Sequence, residues 1–370
     1  MIRLASVISR FESAFLDQYR DRLRPEQTHA LAAMKHCRSQ ASPKMLTACT
    51  ECEHQTLVPH SCGHRHCPHC QHHESQQWIE RQLARQVPAE YFLITFTLPA
   101  ELRPLARAHP RSVYDLILRC AWETVRTFSH NDRHLRGIPG AIGVLHTNTR
   151  AQDFHPHAHL VVPAAAIDLE RRQWRTKVRP SSKRAYLFNH EALAKVFRAK
   201  MLAAIAQAGL ALPERYPHKW VVDCKCVGSG KPALIYLGRY LYRGVIREQD
   251  ILAYDHNDVR FRYRDAKTAQ FQTRTVTGAH FLWLILQHVL PKHFRRARNF
   301  GFLHPNCKRL IALLHLLLRF NPGPPTSTTL RPRPAIRCPC CGAAMAIVKT
   351  KLHSRTPTPC TVPIPIRGIA

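Results

Sequence analysis

Apolar residues along this chain recur with two periods, and each period marks a kind of element. Ile8, Phe11, Phe15 and Tyr19 return every three or four positions, so residues 1–34 are expected to be helical and amphipathic. Val113, Leu116, Ile117, Ala121 and Val125 repeat that spacing within 111–130, and Leu193, Val196, Phe197, Met201 and Ile205 repeat it within 190–208. Helices are also expected over 74–87, over about 233–247, over 278–290 and over 310–319. Between them lie short runs rich in aromatic and β-branched residues. Residues 91–98, stopped by Pro99, read as a buried strand, and 142–147, 220–227 and 260–264 read as further strands. A polar stretch at 148–153 follows the second of these and leads into another strand-like run, which predicts an antiparallel hairpin. The mixture gives an α+β class.

The run that closes this hairpin carries His155, His157 and His159 at alternate positions. In a strand, alternate residues share a face, so these imidazoles are expected to point one way and Phe154, Ala158 and Leu160 the other. A chain with 25 histidines in 370 residues should contain roughly two His-x-His triplets by chance, and His64-Arg65-His66 is another, so the pattern carries weight only in company. Its company is Tyr236-Leu237-Gly238-Arg239-Tyr240, inside an expected helix. At about 100° per residue the two tyrosines lie about 40° apart on one face. Arg239, Arg243 and Arg247 flank that face, while Leu234, Leu237, Leu241 and Val245 lie on the other side and would pack inward.

Charge narrows the function. Lys plus Arg number 55 and Asp plus Glu 24, a net charge of +31, which favours a polyanionic partner, nucleic acid first. Of 14 cysteines, most fall in two tight groups, and such groups with histidines nearby read as zinc sites rather than disulfides. Cys49-x2-Cys52 and Cys67-x2-Cys70 are two thiolate hooks that would close one tetrahedral structural zinc site, with Cys37, Cys62 and His66 as alternative or additional ligands. Cys338-Pro339-Cys340-Cys341-Gly342 resembles half a zinc knuckle, which His353 and Cys360 could complete. No run reaches transmembrane length and no leader is visible, so a cytoplasmic protein with no membrane partner is expected.

Two histidines on a strand can hold a divalent ion with positions left open for a phosphate oxygen. A tyrosine hydroxyl from a neighbouring helix could then attack the phosphorus, once its phenol, ordinarily near pKa 10, is favoured as phenolate by the ion or by arginine. Basic and aromatic surface suits single-stranded DNA.

With these elements in place, the sequence resembles the two-tyrosine, rolling-circle transposases of the His-hydrophobic-His superfamily, of the insertion-sequence-ninety-one type. The resemblance runs from about 30 to 345. It rests on Ser61-Cys62-Gly63-His64-Arg65-His66-Cys67-Pro68-His69-Cys70, Phe96-Thr97-Leu98-Pro99, the histidine run, the tyrosine motif, Leu290-Pro291-Lys292, Phe300-Gly301 and the carboxyl-terminal cysteines. It implies a ferredoxin-like antiparallel sheet holding Mg²⁺ or Mn²⁺ on His157 and His159, with Tyr236 and Tyr240 as nucleophiles. The motif does not fix a third metal ligand, and strand geometry nominates His155. Leu241 and Tyr242 stand where the family commonly has Thr-His. The expected organisation is a helix and zinc-binding domain at 1–88, a nuclease core at 89–265, a mostly helical basic region at 266–325 and a linker, knuckle and tail at 326–370. Arg239, Arg243, Lys292, Arg295 and Arg296 are expected DNA contacts at the nucleoid. A replication initiator with the same chemistry, and a zinc protein that merely binds nucleic acid, are the competing readings.

Overall fold

A computed structural model of the chain describes residues 2–68, 70, 72–177, 186–241, 245–265, 268–323 and 335–352. The chain forms two compact units, one of Met1–Lys35 with Gly63–Pro332 and one of His36–Cys62 with Arg333–Ala370. The first elements in chain order are α1 (Leu4–Tyr19), α2 (Pro25–His36), β1 (Lys44–Cys49), β2 (Gln55–Pro59), α3 (His72–Leu83), β3 (Tyr91–Thr97), α4 (Arg103–Ala108) and α5 (Pro110–Asn131). Next come β4 (Ile138–Asn148), β5 (Phe154–Pro163), β6 (Ala165–Asp168), β7 (Gln173–Thr176), α6 (His190–Gln207), β8 (Val222–Cys226) and α7 (Lys231–Leu241). The last are β9 (Ile251–Tyr254), β10 (Asp258–Arg264), β11 (Phe271–Thr277), α8 (Gly278–Leu286), β12 (Ala297–Gly301), α9 (Lys308–Leu317) and β13 (Met345–Leu352).

The larger unit is built on an antiparallel sheet in the order β7-β6-β4-β5-β3-β8, with β12 also on β4. Four adjacent strands, β4-β5-β3-β8, are reached by the path β3-α5-β4-β5-α6-β8, a β-α-β-β-α-β unit. Both faces of the sheet are covered. Ile94, Phe96, Leu160 and Val162 pack with Ile117, Ala121, Phe197 and Met201 of α5 and α6. Ile142, Val144 and Val161 pack with Trp78 and Ile79 of α3, Leu234 and Leu237 of α7, and Ile311 and Leu314 of α9. Two covered faces explain why β4 is buried nearly end to end instead of alternating. In β5 the expected alternation holds: Phe154, Pro156, Ala158 and Leu160 are buried, while His155, His157 and His159 are half-buried on the side of Val161, where α7 lies.

α7 crosses close to α3, and Gly238 permits the approach. A Cβ there would sit 2.3 Å from Ile79 Cγ1 and 2.9 Å from Trp78 Cε3. Ser75 Oγ donates to the Gly238 carbonyl at 2.9 Å across the same contact. Gly238→Ala is therefore expected to lower stability by about 1–3 kcal/mol through overpacking, seen as a lower urea midpoint at unchanged slope.

A second sheet in the order β11-β10-β9 leans on α8, with the rings of Phe261 and Phe281 5.5 Å apart. α8 in turn meets α1, where Tyr19 stacks on Trp283 at 4.9 Å. The smaller unit is a three-stranded antiparallel sheet in the order β13-β1-β2. It joins the amino-terminal cysteine region to the carboxyl-terminal knuckle, two regions expected in separate domains. The two are brought together by strand pairing, since Cys49 lies opposite Met345 and Ala48 opposite Ala346. The tail from 353 lies outside the described residues.

Candidate active site and metal clusters

The histidine cluster follows from strand register. In the antiparallel β4–β5 pair His146 stands directly opposite His157, and Val144 opposite His159. Directly opposed residues share a face. His146 therefore joins His157 and His159, and one nitrogen of each imidazole lies within 4.8 Å of the others. The environment holds all three rings neutral. Burial pushes the His157 imidazole down to about 4, and burial with neighbouring imidazoles holds His146 and His159 well below the ordinary histidine value.

Hydrogen bonds orient the rings as metal ligands. His157 Nδ1 lies 2.7 Å from the His155 carbonyl, which can only accept, so Nδ1 carries the proton and Nε2 presents a lone pair. His159 Nδ1 lies 2.9 Å from Thr95 Oγ1 on the adjoining strand, and donation to that hydroxyl leaves Nε2 as the ligand atom. His146 Nε2 is buried without a hydrogen-bond partner among the described residues. Three neutral imidazoles, one with an orphaned buried nitrogen, fit a divalent cation.

His155 does not belong to the cluster. Its Nδ1 accepts from Arg103 Nη2 at 2.7 Å, which commits that nitrogen. The third nitrogen comes instead from the opposing strand. His146 stands alone between Leu145 and Thr147, in no motif that marks it as a ligand. Counting the hairpin register back from Asn148 opposite Phe154 would set it against Pro156; a one-residue register shift between His146 and Asn148 brings it opposite His157 instead.

Tyr240 completes the constellation. Its ring stacks on His146 with centroids 3.5 Å apart, and its hydroxyl donates to Asn148 Oδ1. The Arg296 guanidinium carbon lies 4.7 Å from the centre of the same ring. Arg296 Nε donates to the Leu145 carbonyl at 2.9 Å and Nη1 to the Leu241 carbonyl at 3.4 Å. This guanidinium, expected to touch DNA, is instead committed to two backbone carbonyls and the tyrosine ring. Tyr236, one turn earlier, is 52% exposed, so the helix presents one phenol to the cluster and the other to solvent. Among the other expected DNA contacts, Arg239, Lys292 and Arg295 are exposed, and Arg243 lies outside the described residues.

The cysteines gather differently from the expected pairing of the two hooks. In the smaller unit Cys49 and Cys52 meet Cys338 and Cys341. Sulfur separations of 3.4 Å for Cys49–Cys341 and 3.7 Å for both Cys52–Cys338 and Cys52–Cys341 are close to the edge of a zinc tetrahedron. With Zn–S near 2.3 Å that edge is about 3.8 Å. Backbone N–H groups of Cys341 and Cys340 hold the Cys338 thiol down to about 6, close to the thiolate that zinc requires. Gly342, at φ +75°, closes the knuckle by donating its N–H to the Cys338 carbonyl at 2.9 Å. The knuckle is thus completed by the first hook, because β13 pairs with β1; His353 and Cys360 lie outside the described residues. Cys67 and Cys70, the second hook, are not part of this group. His66 is not among these ligands, since its Nε2 accepts the Leu290 N–H at 3.2 Å. Cys338→Ser is expected to remove one equivalent of zinc per chain, measured by metal analysis of the purified protein, with loss of protease resistance confined to β1, β2 and β13.

No helix among the described residues is long and apolar enough to cross a membrane. A family model described as "Putative transposase" matches residues 140–310, and one described as "Transposase zinc-binding domain" matches residues 7–98. The first span holds the three clustered histidines and both tyrosines; the second holds the amino-terminal cysteines. The chain is 31% identical over 323 residues to "Putative transposase y4qJ" of Sinorhizobium fredii (strain NBRC 101917 / NGR234), covering 81% of this chain and 80% of that protein. It is 30% identical over 321 residues to "Transposase for insertion sequence element IS801" of Pseudomonas savastanoi pv. phaseolicola, covering 80% of this chain and 76% of that protein.

Proposed function

Because the chain belongs to the transposase family of IS91-type insertion sequences, we propose that it nicks and rejoins single-stranded DNA through a covalent 5′-phosphotyrosine, in a rolling-circle type of transposition. The observation that carries this reading is the stacking of Tyr240 on His146, inside a cluster of three neutral imidazoles. The β3-α5-β4-β5-α6-β8 path is read as the ferredoxin-like core of the His-hydrophobic-His superfamily.

His146, His157 and His159 would hold the ion. Mn²⁺ suits three nitrogens better than Mg²⁺, which prefers oxygen ligands. When bound, the ion polarises a phosphodiester oxygen. Thr95 and the His155 carbonyl fix two of the rings, so ligand orientation does not depend on the substrate. Arg296 and Asn148 hold the Tyr240 phenol beside the scissile phosphate. Tyr240 oxygen bonds to phosphorus as the P–O3′ bond breaks; the phenol loses its proton and the departing 3′ oxygen takes one up. Tyr240 is read as the first nucleophile, and Tyr236, on the solvent side of the same helix, as the acceptor of the second strand. The protein would act in the cytoplasm, at the nucleoid.

The test incubates the protein with single-stranded oligonucleotides from the element ends and Mn²⁺ or Mg²⁺. A denaturation-resistant species joined to the 5′ product, with a free 3′ hydroxyl on the other, is expected. Binding without any such species would reduce the protein to a nucleic-acid-binding module.

A further inference from the structure

The three-stranded sheet β9–β11 has no part in the chemistry above, yet its outer face is unlike an ordinary solvated surface. Val259 and Phe261 of β10 face inward and are fully buried. The alternate residues Arg260, Arg262 and Arg264 therefore point outward, about 6.7 Å apart along the strand. Register sets them against Thr275, Thr273 and Phe271 of β11. Phe271 is 61% exposed, a large ring left on an open sheet face, and the Arg262 guanidinium lies 5.1 Å from its centre. Local acids do not cancel this charge. Asp250 is buried and shared between Arg247 and Arg262, leaving one positive charge among the three. Arg264 spends Nε on the Ala269 carbonyl, an uncharged partner, and Arg260 makes no ion pair among the described residues. Asp258 lies at the start of the strand and Asp265 just past its end.

From this face we infer that β10 and β11 form a second binding site, for single-stranded DNA, separate from the tyrosine cluster. A row of cations beside an exposed aromatic ring matches what an unpaired strand offers, phosphates at regular intervals and bases with open faces for stacking. A duplex presents phosphates but no open base face to Phe271, so single strands are preferred. The sheet is also tied to the catalytic hairpin. Arg274 donates to the Ala151 carbonyl at 2.7 Å and to Asp153 Oδ1 at 2.9 Å, both in the turn joining β4 to β5. Arg150, in the same turn, donates to the Asp265 carbonyl at 3.1 Å. DNA held on the outer face is thereby held on the body that carries the three histidines. The inference rests on single-stranded DNA being the substrate, and binding is therefore measured apart from cleavage.

The experiment compares the full chain with R260Q/R264Q and with F271A, by fluorescence anisotropy of a labelled oligothymidylate across a salt series. Each single-strand phosphate contact contributes about 0.7 to the slope of log affinity against log salt, so the double variant is expected to lose about 1.4. F271A should weaken binding roughly 5- to 150-fold with the slope unchanged, as loss of a stacked base predicts. Both variants should melt within a few degrees of the parent, because the residues are exposed. They should also form the covalent adduct to within about twofold at saturating oligonucleotide. Unchanged affinity and slope would overturn the inference, as would equal losses on single-stranded and duplex DNA. A parent chain that binds oligothymidylate but forms no adduct would refute the strand-transfer reading and leave this binding result to be judged by itself.

Discussion

Tyr240→Phe is expected to reduce the covalent adduct below roughly a thousandth of the parent level, while Tyr236→Phe still forms the first adduct and fails to complete transfer. The asymmetry comes from placement. The phenol of Tyr240 is held by Asn148 Oδ1, and its ring stacks on His146 and lies against the Arg296 guanidinium. Tyr236 points to solvent from the same helix. Phenylalanine keeps both ring contacts at position 240 and removes only the nucleophilic oxygen, so single-strand affinity should be unchanged. Resolving adducts on a denaturing gel, with each variant given end-labelled oligonucleotide, decides the matter. Equal adduct yields from the two variants would show that the tyrosines are interchangeable, contrary to their placement.

The second large effect concerns a residue that no motif marks. His146→Ala is expected to slow cleavage at least about a thousandfold, which corresponds to about 4 kcal/mol of transition-state stabilisation. It should also remove the tight Mn²⁺ site in calorimetry. His155→Ala should retain the site and lose only the Arg103 contact, with cleavage within about tenfold of the parent. The contrast tests the difference between strand alternation, which nominates His155, and strand pairing, which supplies His146. Metal binding that survives His146→Ala and disappears in His155→Ala would reverse the assignment.

Much of the architecture was legible in advance. The helices at 4–19, 110–131 and 190–207 follow apolar spacing, and β3 follows its aromatic and β-branched content. The hairpin of β4 and β5 follows from two apolar runs around a polar turn. Strands that escaped notice are short, polar or exposed. β11 has neither continuous apolar residues nor clean alternation, and β12 is held by pairing with β4. β13 lies beyond a proline-rich stretch that reads as a linker, and its partner β1 is about 300 residues earlier.

The same division applies to the sites. Periodicity by itself determined that His157 and His159 share a face of one strand, that Tyr236 and Tyr240 share a face of one helix, and that the leucines of that helix turn to the core. These are relations within one element, fixed by backbone repeat and legible wherever the element is recognised. Only the tertiary structure decided which groups from different elements meet. It chose His146 over His155, joined Cys49 and Cys52 to Cys338 and Cys341, turned Arg296 onto Tyr240, and placed one tyrosine at the cluster and the other in solvent. Those choices depend on strand register and on how closely α7 can approach α3 across Gly238, quantities set by packing over the whole fold and carried by no local stretch of sequence.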